Sequence, residues 1–199
     1  MLNENNPLLN PYNTPHDTAP FGRISIKDFE EAMLEGIRRD NEEIDLVVNN
    51  PEEPTFDNTI IRKDSDKERS HYYGLLDRAT TIFFNLMSAE TTDEIDALAE
   101  KMQPILTKHS NDVRLNKRLF ERIRHVHDLY ADGNGKGDLR PLSPEEKTLL
   151  DKSYDGFVRS GALLDDKDKE KLRTLSEEAS MLSLKFSQNL LKENKAYSL

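Results

Sequence analysis

The chain has 199 residues, with 28 basic against 38 acidic side chains and a formal net charge of −10. That surplus of carboxylates speaks against nucleic acid and against anionic membrane surfaces, both of which are gripped by clustered Lys and Arg. There is no cysteine, which excludes a disulfide framework, a thiolate metal site and a thiol nucleophile.

In chain order, residues 1–22 read as an extended arm. Pro7, Pro11, Pro15 and Pro20 interrupt any regular helix, while Leu8, Leu9, Tyr12 and Phe21 give the arm apolar groups to pack with. Met1 to Pro7 has neither a basic start nor an apolar run, so no signal peptide and a cytoplasmic location are expected, unless a longer parent carries an export signal ahead of it. No stretch approaches the roughly 18 apolar residues of a bilayer span.

Residues 23–199 read as a helical domain. A first helix is expected from Ile26 to Asn49, started by Ser25 with Asp28 and stopped by Pro51 and Pro54; its apolar positions are Ile26, Phe29, Met33, Ile37, Ile44, Val47 and Val48. A second helical region opens at Asn58 and regains an apolar stripe at Tyr72, Leu75, Leu76, Ala79, Ile82, Phe83 and Leu86; the charged run Arg62 to Arg69 between them is either the solvated middle of one long helix or an interrupting loop. Thr91 or Thr92 caps a third helix with Ile95, Leu98, Met102, Ile105, His109 and Val113 on one face, and Pro104 is expected to kink it. A fourth carries Leu119, Ile123, Val126 and Tyr130, ahead of a glycine loop at Asp132 to Gly137.

Ser143-Pro144-Glu145-Glu146 forms a capping box with proline at the first helical position, opening a fifth helix whose end is bracketed by Gly156 and Gly161. The last helix runs from Asp166 toward the C-terminus with two stripes: Leu172, Leu175, Ala179, Leu182, Phe186 and Leu190 on one, Met181, Leu184 and Leu191 on the other. Two stripes imply two packing partners. No segment alternates with period two. The fold class is all-α, a multi-helix antiparallel bundle-like region behind a Pro-rich arm.

Three patterns imitate sites. Asp132, Asn134, Lys136 and Gly137 follow the first half of an EF-hand loop, but position five is a lysine and position twelve is Ser143, which removes the bidentate carboxylate calcium needs. Glu68 and His71 have the spacing of one di-iron motif, yet no second copy occurs and the flanks are charged. His125 and His127 diverge if helical, and His109 falls on the apolar stripe of the third helix. The acidic pairs Glu30-Glu31, Glu42-Glu43 and Glu177-Glu178 read as solvated helix surface. The sequence holds no His-Glu-x-x-His, phosphate loop, nucleophile elbow or dinucleotide fingerprint. No catalytic, cofactor-binding or metal residue is therefore assigned.

A set of strings carries more. Asn6-Pro7-Leu8-Leu9 is followed by Thr18-Ala19-Pro20-Phe21-Gly22-Arg23-Ile24, then by Asn50-Pro51 through Pro54-Thr55-Phe56-Asp57-Asn58-Thr59-Ile60. Phe83-Phe84-Asn85-Leu86-Met87-Ser88-Ala89, His109-Ser110-Asn111-Asp112, Tyr154 to Ala162 and Phe186 to Ala196 complete the series. In this order they resemble the opening of the thimet oligopeptidase family of zinc metallopeptidases, in its Dcp-type peptidyl-dipeptidase and oligopeptidase A branches. Arg62 to Tyr73 departs from the pattern, being longer and more charged.

The resemblance implies a parent of several hundred residues, whose C-terminal part binds one zinc ion and cleaves short peptides, releasing C-terminal dipeptides. It also implies that the N-terminal helices wall a channel and are inactive alone, with the C-terminal catalytic domain as their partner. Two other classes remain: a stand-alone helical module binding peptides or proteins, and a dimerising structural bundle.

Overall fold

A computed structural model describes residues 2–61, 74–131 and 139–197, apart from the side chain of Lys195. Among these residues there is no strand. Six α-helices follow one another: α1 (Ile26–Val48), α2 (Leu75–Glu90), α3 (Asp93–Arg114), α4 (Lys117–Leu129), α5 (Pro144–Arg159) and α6 (Asp166–Ala196). The all-α expectation holds. The charged run at 62–73 lies outside the described residues.

The helix starts follow from local chemistry. Before α1, the Asp28 carboxylate accepts from the Ser25 backbone N–H at 2.7 Å, and the Ser25 hydroxyl in turn accepts from the Asp28 N–H at 3.4 Å. Before α5, Ser143 and Glu146 exchange the same pair of bonds at 3.2 and 2.9 Å, with Pro144 at the first position. Thr92 caps α3 through its hydroxyl to the Ile95 N–H. That helix runs unbroken through Pro104, whose missing N–H releases the carbonyl four residues back, at Glu100.

Gly156, expected near the end of the fifth helix, lies inside α5; the terminator is Gly161 alone. At φ +93° it provides the left-handed turn, and the Gly161 and Ala162 N–H groups bond back to the Val158 and Phe157 carbonyls at 3.1 Å each. Gly156 has a packing role instead, since a Cβ there would come within 3.1 Å of the Arg114 guanidinium.

The chain divides into two compact units. The first comprises Met1–Asn41, Asp66–Lys108 and Ser176–Leu199. Its core gathers Phe29, Ala32 and Met33 of α1, Leu75, Ala79, Phe83 and Met87 of α2, Ile95, Leu98, Ala99 and Met102 of α3, and Leu184 of α6. Gly36 lets α1 meet α2 backbone to backbone: a Cβ there would lie 2.8 Å from the Leu76 main chain.

The arm belongs to this unit and is fastened to it. It makes three single 3₁₀ turns, at Pro7–Leu9, Pro15–Asp17 and Phe21–Arg23, and buries Leu8 and Tyr12 in the core. The fully buried Asn6 amide donates to the Asp28 carbonyl and to Glu31, while its oxygen accepts from the Leu8 N–H. Arg78 reaches from α2 to the Leu8 carbonyl at 2.8 Å and lies over the Tyr12 ring.

The second unit comprises Glu42–Ser65 and His109–Leu175. One cluster joins Ile44, Val47 and Val48 to Leu119, Phe120, Ile123, Phe157 and Ala162; another joins Phe56 to Val126, Tyr130 and Leu150. The Pro51–Pro54 segment leads into a π-helical turn at Phe56–Ile61. Three arginines tie this segment and its flanks in place. Arg118 donates to the Val48 carbonyl, Arg122 donates to the Asn50 and Glu52 carbonyls, and Arg140 bridges Glu146 and Asp57.

Candidate functional site

The residues that imitated sites are dispersed. Residues 132–138, with most of the EF-hand-like loop, lie outside the described residues, as do Glu68 and His71; Ser143 is occupied as the cap of α5. His125 and His127 leave α4 in different directions. His125 reaches Glu53 at 3.9 Å, whereas His127 stacks on the Tyr154 ring at 4.0 Å between centroids, with Asp128 and Asp151 at 3.7 and 3.8 Å. His109 is buried within α3. Among the described residues no group of three or more His, Asp or Glu side chains converges to hold a metal ion.

The carboxylates lining the first unit's cleft are spent on structure. A cleft of about 540 Å³ is lined by Asn3, Lys27, Asp28, Glu30, Glu31 and Leu34. Glu31 accepts from the Asn3 N–H and the Asn6 amide, Glu30 pairs with Lys101 at 2.6 Å, and Asp28 caps α1. Each of these acids is already bonded, to the arm, to Lys101 of α3 or to the start of α1.

Glu35, nearly inaccessible on α1, accepts from Arg38 and Arg39 at 2.6–2.7 Å. The Arg38 hydrogen bond is the strongest influence on its carboxyl and lowers its pKa; burial opposes, and Arg39 adds to the lowering. In the arm, burial pushes the Tyr12 phenol up. Neither residue lines the cleft at Asn3 and Leu34.

The remaining feature is α6. Its two stripes have different fates. Leu184 is buried in the first unit's core and Met181 and Leu191 are half-buried, whereas on the other stripe Leu172 is half-buried and Leu175, Ala179, Leu182, Phe186 and Leu190 are exposed. Alongside runs a groove of about 370 Å³ between α3 and α6, lined by Glu100, Met181, Leu182, Leu184, Lys185, Gln188, Asn189 and Lys192. Sequence reasoning found both stripes but not which one the chain would bury. It also missed Gln188, buried on the inner side with its amide 3.5 Å from the Asp96 carbonyl.

No family model matches the chain. Individual proteins do. The dipeptidyl carboxypeptidase of Salmonella typhimurium is 34% identical over 194 residues, which is 98% of this chain and 27% of that protein. The Escherichia coli dipeptidyl carboxypeptidase is 33% identical over 189 residues, 95% of this chain and 25% of that one. The organellar oligopeptidase A of Arabidopsis thaliana is more distant, at 23% over 198 residues, 96% of this chain and 22% of its own length. The chain is thus a dipeptidyl carboxypeptidase- and oligopeptidase A-like segment that spans about a quarter of the length of the curated relatives it matches.

Proposed function

We propose that this chain is the N-terminal, non-catalytic helical region of a longer zinc-dependent peptidase that removes dipeptides from the C-terminus of short peptides. The observation that carries the reading is identity of 33–34% to two dipeptidyl carboxypeptidases over 95–98% of the chain. The described residues do not fit zinc, since they supply no convergent ligand set. Under this reading the ion, the acid–base groups and the peptide-anchoring groups all belong to the remainder of the polypeptide, and no catalytic residue is assigned here.

The role proposed for the helices is exclusion. A hydrolytic centre cleaves whatever amide reaches it, so selection by substrate length has to come from walls that admit an extended chain and refuse a folded domain. The buried clusters packed within each unit, and the arm fastened to the first, support that reading. A cytoplasmic location is proposed with it: no described helix is long and apolar enough to cross a membrane, and one relative at 22% identity is named a probable cytosolic oligopeptidase A.

The parent gene and its product test this reading. The frame is expected to encode a His-Glu-x-x-His helix beyond this segment, and the full-length protein to release dipeptides from a blocked pentapeptide until zinc is chelated. The 199-residue chain alone should leave the peptide intact. Zinc-dependent cleavage by that short chain, or a parent gene without the motif, overturns the proposal. The exposed face of α6 favours one further reading, a self-associating bundle, which requires the short chain to sediment as a dimer.

A further inference from the structure

From Ser176 onward, helix α6 carries apolar surface on two opposite sides, and the first unit covers one of them. Leu184 faces the core; Leu182, two residues earlier at about 100° per residue, points to the far side. Leu182 and Phe186 are each 69% exposed and Leu190 is 51% exposed, with Ala179 in line at spacings of three and four. Single exposed leucines are ordinary on protein surfaces, but an unbroken stripe on one helix face marks an interaction surface. Lys185 and Lys192 border the stripe along the groove shared with α3.

Resting on the reading above, we infer that this face seats a helix from the catalytic remainder of the same polypeptide. That helix would lay its own apolar stripe against Leu182, Phe186 and Leu190, and present carboxylates to Lys185 and Lys192. Two observations select this occupant. The matched relatives are about four times as long as the segment they share with this chain, so the family carries ample further chain to cover the face. The stripe is also narrow. Its exposed side chains offer on the order of 400 Å², against roughly 800 Å² per partner in a stable complex of separate molecules. A partner in the same chain meets it at millimolar effective concentration, where so small a seat suffices.

Because the 199 residues contain no cysteine, single thiols make clean probes. Phe186→Cys and Leu182→Cys would be labelled with a maleimide in the short chain and in the full-length parent, with Lys152→Cys on α5 as an exposed control and the unsubstituted parent as background. In the short chain both thiols should react at the control's rate. In the full-length protein they should slow at least tenfold while the control does not. Fast labelling in a full-length protein that still cleaves peptides overturns the docking and leaves the peptidase reading intact. A parent gene that encodes no peptidase region overturns both. Slow labelling already in the short chain, with a doubled sedimenting mass, assigns the face to a second copy and overturns the inference.

Discussion

Arg118 on α4 closes the end of α1: its Nη2 lies 2.8 Å from the carbonyl of Val48, the helix's last residue, and 3.0 Å from the Asn49 side chain. Terminal carbonyls lack partners within their own helix, so a guanidinium supplied from elsewhere satisfies one of them. Arg118→Ala is expected to cost up to about 3 kcal/mol, the top of the range of roughly 1.5–3 kcal/mol for hydrogen bonds to charged groups, read as a lower denaturation midpoint in urea. Arg122→Ala should cost a similar amount, because it releases the Asn50 and Glu52 carbonyls.

Gly36→Ala inverts the usual rule. Alanine in a helix interior ordinarily stabilises by up to about 1 kcal/mol over glycine, but here the added Cβ would fall 2.8 Å from the Leu76 backbone. The expected result is a loss of roughly 1–3 kcal/mol from overpacking. Gly22→Ala, with nothing within 4 Å of its Cβ position, should change little. Thermal melts of the two variants separate the close approach from any general intolerance of glycine replacement.

The outer and inner stripes of α6 predict opposite sensitivities in the 199-residue chain. Leu184→Ala removes a buried core side chain and should cost about 2–5 kcal/mol. Phe186→Ser alters a face that the chain leaves exposed, and should shift stability by no more than about 0.5 kcal/mol. Equal losses from both would contradict the exposure of the outer stripe.

Glu35 predicts an acid limb. Its carboxyl is held below its ordinary value of 4.5, first by the Arg38 hydrogen bond against opposing burial and then by Arg39. The folded state thus binds this proton less readily than the unfolded chain does. Its stabilising contribution is fully present above pH 4.5 and is lost as pH falls through the lower folded value. Stability measured from pH 6 downward should decline in the parent chain, and Glu35→Gln should flatten that decline while lowering the plateau near neutrality.

Local chemistry was the readable part of this fold. Ser25 with Asp28, and Ser143 with Glu146, announce helix starts because their partners lie three residues away. The stripes of α1 and α4 name their buried positions for the same reason, since one face repeats every three or four residues. What distance in sequence conceals was not readable. Nothing near Arg118 or Arg122 reveals carbonyls about 70 residues earlier as their targets. Gly156 looked like a stop although it makes room for Arg114. On α6 both stripes are apolar, so the pattern alone does not choose which is buried. The likeness to known peptidases was legible only through ordered strings such as Pro54 to Ile60, because the described side chains bring together no group of three or more candidate metal ligands.

The order in which the two units receive their residues bears on synthesis. The second unit is complete once Leu175 has been made, but the first still awaits Ser176–Leu199. A nascent chain emerging N-terminus first therefore closes the later-starting unit before the earlier one. Until Leu184 leaves the ribosome, the core around Met33, Phe83 and Met102 lacks one of its walls. The unit that starts first in the chain is thus the last to receive all its core residues, with Leu184 the final one to arrive.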